Sequence, residues 1–231
     1  IISFGRHPEA TARLLAVHST VVGSQVTAKI GKQQYTYAIP HLGQHMALNS
    51  LAALAIIRAT GEDVATAAAN LGRVPQVEHR LQVEKLACQS GFFYLVDDSY
   101  NANPTSMRSA IDTVTEMREG TNARIIAVLG EMWGLEDQSA RFHQELGHHL
   151  IEKEVDRVIC FGEEMAALYA ILPEALRGGY GVFYLDVMDA ILDAIGPNDI
   201  VLVKGSGHID EIGEVLIPKI RRFAAQGRAD A

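Results

Sequence analysis

The chain has 231 residues, of which 48% are hydrophobic and 21% charged. This is the balance of an ordinary globular protein with room for one large domain or two small ones, and it excludes a disordered tail, a collagen-like repeat and a coiled coil. Lys and Arg total 20 against 28 Asp and Glu, a net charge of -8 without any basic run, so the electrostatic footprint of a nucleic-acid binder is missing.

Ile1 to Arg6 has neither the basic start nor the apolar core of a signal peptide, so the start reads as a cut end of a longer protein. Val26, Ala28 and Ile30 alternate with polar neighbours, Gly31-Lys32 gives a turn, and Tyr35, Tyr37 and Ile39 alternate again, which predicts a hairpin opening the chain. Met46 to Thr60 is apolar on nearly every face and predicts a buried helix ended by Gly61. Its strongly apolar part, Leu48 to Ile57, is too short to cross a bilayer. Asn49 inside it must satisfy its amide through a helix neighbour or a ligand base. Glu62 to Leu71 predicts a second, Ala-rich helix capped by Gly72, and a domain boundary follows between residues 75 and 76.

From Gln76 onward, short apolar runs alternate with helical segments. Most of the runs Phe92–Val96, Arg124–Leu129, Arg157–Phe161, Val182–Leu185 and Ile200–Val203 are too uniformly apolar for half-exposed antiparallel strands. Helices are predicted at Pro104–Met117, Ser139–Glu152, Glu163–Leu172, Val187–Ile195 and Glu211–Phe223. The fold class is therefore α/β, a Rossmann-like doubly wound, mostly parallel sheet over residues 76–231, preceded by a hairpin and two helices over residues 1–75. Ligands of such sheets sit beyond the carboxyl ends of the strands.

The first of those ends reads Asp97-Asp98-Ser99-Tyr100-Asn101-Ala102-Asn103-Pro104, a polar loop running into a helix with Pro104 at its first position and Asn103 as its cap. Adjacent carboxylates on a strand point to opposite faces, so one of Asp97 and Asp98 faces the core or its cover and the other the crevice. The second end reads Leu129-Gly130-Glu131-Met132-Trp133-Gly134, with Ser139 and His143 on the helix after it. The last, Val203-Lys204-Gly205-Ser206-Gly207-His208, is a Gly-rich turn before a helix, where amide hydrogens and the helix dipole favour an anion. It is not a Walker A loop, and no G-x-G-x-x-G follows any strand. His143, His148 and His149 lack the spacing that aims two imidazoles at one zinc. Cys88 and Cys160 are far apart, outside any C-x-x-C, which fits a reducing cytoplasm.

The run Asp97 to Pro104, continued by Ser106 and Met107, resembles the signature of the Mur ligases that add D-alanyl-D-alanine to UDP-N-acetylmuramoyl-tripeptide, the MurF family. The order of the other motifs is similar to that family too: Gly43, His45, Asn49, Ala52 and Ala53 with the end of its central ATPase domain, Glu78-His79-Arg80 with the junction to its carboxyl-terminal domain. Leu129 to Met132 with Ser139, His143 and Gly147 resembles its second loop, and Val201 to Ser206 its last strand end. The family commonly has Arg after Lys-Gly-Ser, where this chain has Gly207-His208, and the phosphate-cradling loop that it carries upstream is absent from these 231 residues.

The resemblance implies the carboxyl-terminal half of such a ligase, residues 1–75 being the tail of the central domain and 76–231 the complete last domain. It implies a cytoplasmic, ATP-dependent enzyme of peptidoglycan synthesis and cell-wall biogenesis, with bearing on cell shape and division, acting through an acyl phosphate as a monomer without a membrane span. Magnesium ligands would lie upstream, and the fragment alone would be inactive. Asn49 and His45 would contact adenine, Arg80 the γ-phosphate as the catalytic group, and Asp98 the ribose. Tyr100, Asn101 and Asn103, with Lys204 and Ser206, would shape the dipeptide pocket. The alternative reading is a non-catalytic Rossmann-like module that binds a nucleotide or another small molecule.

Overall fold

A computed structural model describes residues 1–88, 90–206 and 212–226. The contacts divide the chain into two units, Ile1–Gln76 and Val77–Ala231.

The first unit is a four-stranded sheet in the order β1 (Phe4–Gly5), β2 (Ala12–Thr20), β3 (Gly23–Ile30), β4 (Gln33–Ile39), with only the β1–β2 pair parallel. The predicted hairpin is β3–β4, closed at Ile30 opposite Gln33 by Gly31 with φ of 63°. It does not open the chain. Strand β2 precedes it, and its alternation is hidden by a register shift between Leu14 and Ala16 that puts apolar residues in succession.

Helix α1 (Gln44–Thr60) ends at Gly61 in the left-handed conformation, as its composition predicts. It is buried on one face only, through Ala47, Ser50, Leu51, Leu54 and Ala55 against Val26, Ala28, Ile30, Tyr37 and Ile39, while Ile56 is exposed. Helix α2 (Val64–Asn70) is capped by Asp63, whose carboxylate accepts from the Ala65 and Thr66 amides. Gly72 is not its cap: the chain runs on through a 3-10 turn, Leu71–Arg73, without left-handed backbone there.

The second unit is a six-stranded sheet in the order β5 (Gln82–Cys88), β6 (Gly91–Asp98), β10 (Ile200–Lys204), β7 (Ile125–Gly130), β8 (Arg157–Phe161), β9 (Arg177–Gly181). All pairs are parallel except β5–β6. The edge strand β5 escapes a search for apolar runs because every residue in it is half-buried or exposed. The strand expected at Val182–Leu185 lies earlier. Strand β9 is Arg-Gly-Gly-Tyr-Gly, a composition that hides it, and Tyr184–Val187 is a 3-10 turn with Val182, Phe183 and Leu185 exposed. Its glycines allow close packing: a Cβ on Gly178 would lie 2.6 Å from Ile159 Cγ1, and one on Gly181 would collide with Asp186 Cβ.

Helices α3 (Pro104–Arg118), α4 (Ser139–Glu152) and α5 (Ala166–Ile171), each following a strand of the β6–β7–β8 series, pack together. Helix α6 (Met188–Ala194), a π-helical turn (Ile212–Leu216) and α7 (Ile217–Gln226) cover the other face through Met188, Ile191, Ile212, Leu216, Ile217 and Ile220. The start of the expected last helix, Glu211, lies outside the described residues. Strand β10 sits between β6 and β7, yet the helix that follows it lies on the opposite face from theirs. In doubly wound sheets the carboxyl ends of strands whose helices lie on opposite faces are where ligands sit, which directs attention to the ends of these three strands.

Candidate functional site at the carboxyl ends of the central strands

Strand alternation sorts the two carboxylates of β6. Asp97 continues the side of Phe93 and Leu95, the side covered by α7, and has no exposed surface. Its Oδ1 accepts from the Ser99 hydroxyl at 2.6 Å and the Ser99 amide at 3.2 Å, and its Oδ2 lies 2.9 Å from His79 Nδ1.

Asp98 points to the other face, where its Oδ2 meets Lys204 Nζ at 2.7 Å and its Oδ1 accepts from the Leu81 amide at 3.1 Å. The Lys204 side chain is 2% exposed and that of Asp98 14%. Lys204 also donates to the Asn101 carbonyl at 2.8 Å. A buried ammonium is costly unless paired and hydrogen-bonded, and here it ties the last strand end to the Asp98–Asn101 loop.

The loop leaves its outer side chains at the surface. Tyr100 is 48% exposed, and the exposed Arg80 lies over its ring, Cζ 4.1 Å from the centroid. Asn101 is exposed, and its Oδ1 accepts from the Ala102 amide. Asn103 caps α3 in a reciprocal box: its Oδ1 accepts from the Ser106 amide at 2.8 Å, and its own amide donates to Ser106 Oγ at 3.0 Å. Pro104 holds the first helical position, where no amide is needed.

A second network joins the ends of β7 and β10. The Ser206 hydroxyl donates to the Glu131 carbonyl at 3.1 Å and accepts from the Trp133 amide at 2.6 Å. Glu131 in turn accepts from Trp133 Nε1 at 2.9 Å and the Glu164 amide at 3.2 Å. His143, fully buried on α4, accepts the Met132 amide at Nε2 and donates from Nδ1 to the Ser139 carbonyl at 2.9 Å, which fixes one neutral tautomer. Gly130 and Gly205 let the two strand ends touch: a Cβ on Gly205 would stand 3.0 Å from Gly130 Cα.

Among the predicted site residues, the structure thus brings Arg80, Asp98, Tyr100, Asn101 and Lys204 together, with Asn103 and Ser206 holding backbone at the carboxyl ends of the same strands. Gly207 and His208 lie outside the described residues. His45 and Asn49 are exposed, one turn apart on α1 of the first unit. Asn49 is not an amide trapped in an apolar interior. Water reaches it, and its Nδ2 lies 3.8 Å from Met46 Sδ. The sequence gives no role to His79, which pairs with a carboxylate 18 positions along the chain; its only signal is its place beside Arg80. Cys160 is not a nucleophile here, because complete burial raises its thiol pKa.

The "Mur ligase, glutamate ligase domain" family matches residues 79–207. The UDP-N-acetylmuramoyl-tripeptide--D-alanyl-D-alanine ligase of Bacillus subtilis is 32% identical over 191 residues, covering 79% of this chain and 40% of that protein. The ligase of the same name from Haemophilus influenzae is 29% identical over 195 residues, covering 83% of this chain and 40% of that protein. The chain thus spans well under half the length of the curated relatives it matches. Among solved structures, the MurF ligase of Thermotoga maritima in complex with ADP superposes with a TM-score of 0.77 at 22% identity, covering 99% of this chain and 49% of that one. MurC of the same organism gives 0.71 at 19% identity, covering 100% of this chain and 48% of that one. The chain belongs to the Mur ligase family, and residues 79–207 are its glutamate ligase domain.

Proposed function

We propose that this chain is the carboxyl-terminal part of a MurF-type ligase, a cytoplasmic, monomeric enzyme that joins D-alanyl-D-alanine to UDP-N-acetylmuramoyl-tripeptide at the expense of ATP. The observation that carries the reading is the cluster at the carboxyl ends of β6 and β10, where the exposed Arg80 guanidinium lies over the Tyr100 ring of the signature loop that also carries the Asp98–Lys204 pair. The names of the curated relatives support the same substrates. Residues 1–75 would be the tail of the ATPase domain and 76–231 the last domain.

In the proposed reaction ATP phosphorylates the terminal carboxylate of the tripeptide. The amine of the dipeptide attacks the acyl phosphate, and the tetrahedral intermediate collapses to the amide and phosphate, ADP having left in the first step. Arg80 meets the γ-phosphate with a planar fork of donors and offsets charge during transfer. Asp98 is oriented by Lys204 and the Leu81 amide, and as a carboxylate it is the acceptor assigned to the ribose hydroxyls. His45 and Asn49 contact adenine. Tyr100, Asn101 and Asn103 border the place of the dipeptide, while Lys204 and Ser206 hold the loops that form it. Among the described residues no group of three or more His, Cys, Asp or Glu side chains is placed to hold a metal ion. The magnesium ligands are assigned to the rest of the ligase.

Phosphate release tests the reading. In the natural polypeptide that carries this chain, release from ATP should require both the nucleotide tripeptide and D-alanyl-D-alanine, whereas the 231-residue chain, which lacks a phosphate-cradling loop, should release none above a heat-denatured control. Release by the longer polypeptide that is indifferent to the dipeptide, or release by the 231-residue chain itself, contradicts it.

A further inference from the structure

Arg80 stands between two residues in left-handed backbone, His79 with φ of 60° and Leu81 with φ of 50°. Side chains with a Cβ avoid this region, a bulky Leu above all, so two such residues flanking one arginine persist only where their surroundings impose them.

The signature loop supplies those constraints on both sides. Asp97, held by the hydroxyl and amide of Ser99, takes His79 Nδ1 at 2.9 Å, and the Tyr100 amide donates to the His79 carbonyl at 3.1 Å. Asp98 takes the Leu81 amide at 3.1 Å. The other side of the imidazole lies against Gly213, where a Cβ would come within 3.1 Å of Cε1. The arginine amide itself donates to the Val77 carbonyl at 3.3 Å, and its guanidinium covers the Tyr100 ring. The flanking residues are thus held by side chains, while Arg80 is left at the surface.

We propose that the Asp97–Ser99–His79 chain and the Tyr100 ring are positioning groups that fix the Arg80 guanidinium. Its use in phosphoryl transfer rests on the ligase reading above; its fixed place does not. A long side chain free to rotate spends most of its time away from any one point, so pre-orientation raises the fraction of complexes ready for transfer.

The test has two arms. In the 231-residue chain, protons over an aromatic face shift upfield, so NMR should find the Arg80 side-chain protons displaced from random-coil values. The displacement should be lost in Tyr100→Leu and His79→Ala. It should persist in His79→Asn, which keeps a donor near the place of Nδ1 and tolerates left-handed backbone. Random-coil shifts in the wild type, or shifts that His79→Ala leaves intact in a folded protein, overturn the proposal. In the natural ligase, His79→Ala should lower kcat for dipeptide-dependent phosphate release by about ten- to a hundredfold with the KM for dipeptide within about twofold, and His79→Asn should recover most of it. Equal losses in both variants would overturn the positioning role. Displaced shifts together with a wild type that never responds to dipeptide would support the fixed guanidinium and sink the ligase reading alone.

Discussion

Asp97 and Asp98 are chemically identical neighbours with different surroundings, and those surroundings decide what each substitution should do. Asp98→Asn leaves the Lys204 ammonium buried without its carboxylate, which should cost about 3 kcal/mol. Urea unfolding of the 231-residue chain, followed at Trp133, its only tryptophan, should show the loss. Lys204→Met on top of it should restore part of the stability, since two neutral groups replace the broken pair. An Asp98→Asn protein as stable as the wild type would mean that the pair is not closed in solution. Arg80→Lys, by contrast, touches an exposed group. It should leave the melting temperature nearly unchanged while lowering kcat of the natural ligase by about ten- to a thousandfold, because a point ammonium does not reproduce a planar fork. Unchanged kcat would make Arg80 a structural residue only.

The residue scale also yields a pH dependence. Burial pushes the His41 imidazole below its ordinary 6.5, partly countered by its bond to the Pro75 carbonyl. The unfolded chain therefore binds that proton more readily. The stabilising contribution is present above 6.5 and is lost as pH falls through the lower folded value. Melting curves across that window should show the first unit losing stability, and His41→Gln should remove that increment; an equal slope in the variant would refute the assignment.

What the sequence discloses at this scale depends on range. The opposite facing of Asp97 and Asp98 and the Asn103 cap follow from local geometry and are legible in a few residues. The pairing of Lys204 with Asp98 needs two strands distant in sequence to lie side by side, and nothing local states it. Asn49 shows the converse: an apolar composition on every side of α1 implied burial, yet the packing covers only one face.

Among the elements, the strand ends explain the glycines of two motifs. Gly130 ends β7 and Gly205 follows β10, and the adjacent strands bring them within van der Waals reach. A Cβ on Gly130 would lie 2.8 Å from Cε2 of the Phe161 ring, and one on Gly205 would meet Gly130 backbone, so neither neighbour yields without moving a strand end. Gly130→Ala and Gly205→Ala should each destabilise the second unit by about 1–3 kcal/mol. The double substitution should cost less than the sum, because the first displacement makes room for the second. Additive or neutral effects in chemical denaturation would show that the two ends do not touch.

Helix α4 and strand β8 fall at the boundaries their patterns predict, because each is buried against a neighbour that enforces its period. Strand β9 does not: its close approach to Ile159 and Asp186 demands glycines, and glycines erase the apolar signal by which a strand is recognised. Strand β2 is hidden by its bulge, and β5 by its place at the sheet edge.

At the scale of the whole molecule, the alternation of runs and helices after residue 76 dictates a doubly wound sheet, and the sheet gathers the candidate site at the carboxyl ends of its central strands. Among the described residues no helix is long and apolar enough to cross a membrane. The architecture does not choose a substrate, since MurC of Thermotoga maritima superposes nearly as well as MurF of the same organism. The choice of dipeptide therefore rests on the loop after β6 and on the curated relatives. Mass spectrometry of the nucleotide product tests it most directly. Incubated with ATP, UDP-N-acetylmuramoyl-tripeptide and D-alanyl-D-alanine, the natural polypeptide carrying this chain should convert the tripeptide to a species heavier by one D-alanyl-D-alanine less one water. An unchanged tripeptide, or one extended by a single amino acid while the dipeptide is ignored, would contradict the account.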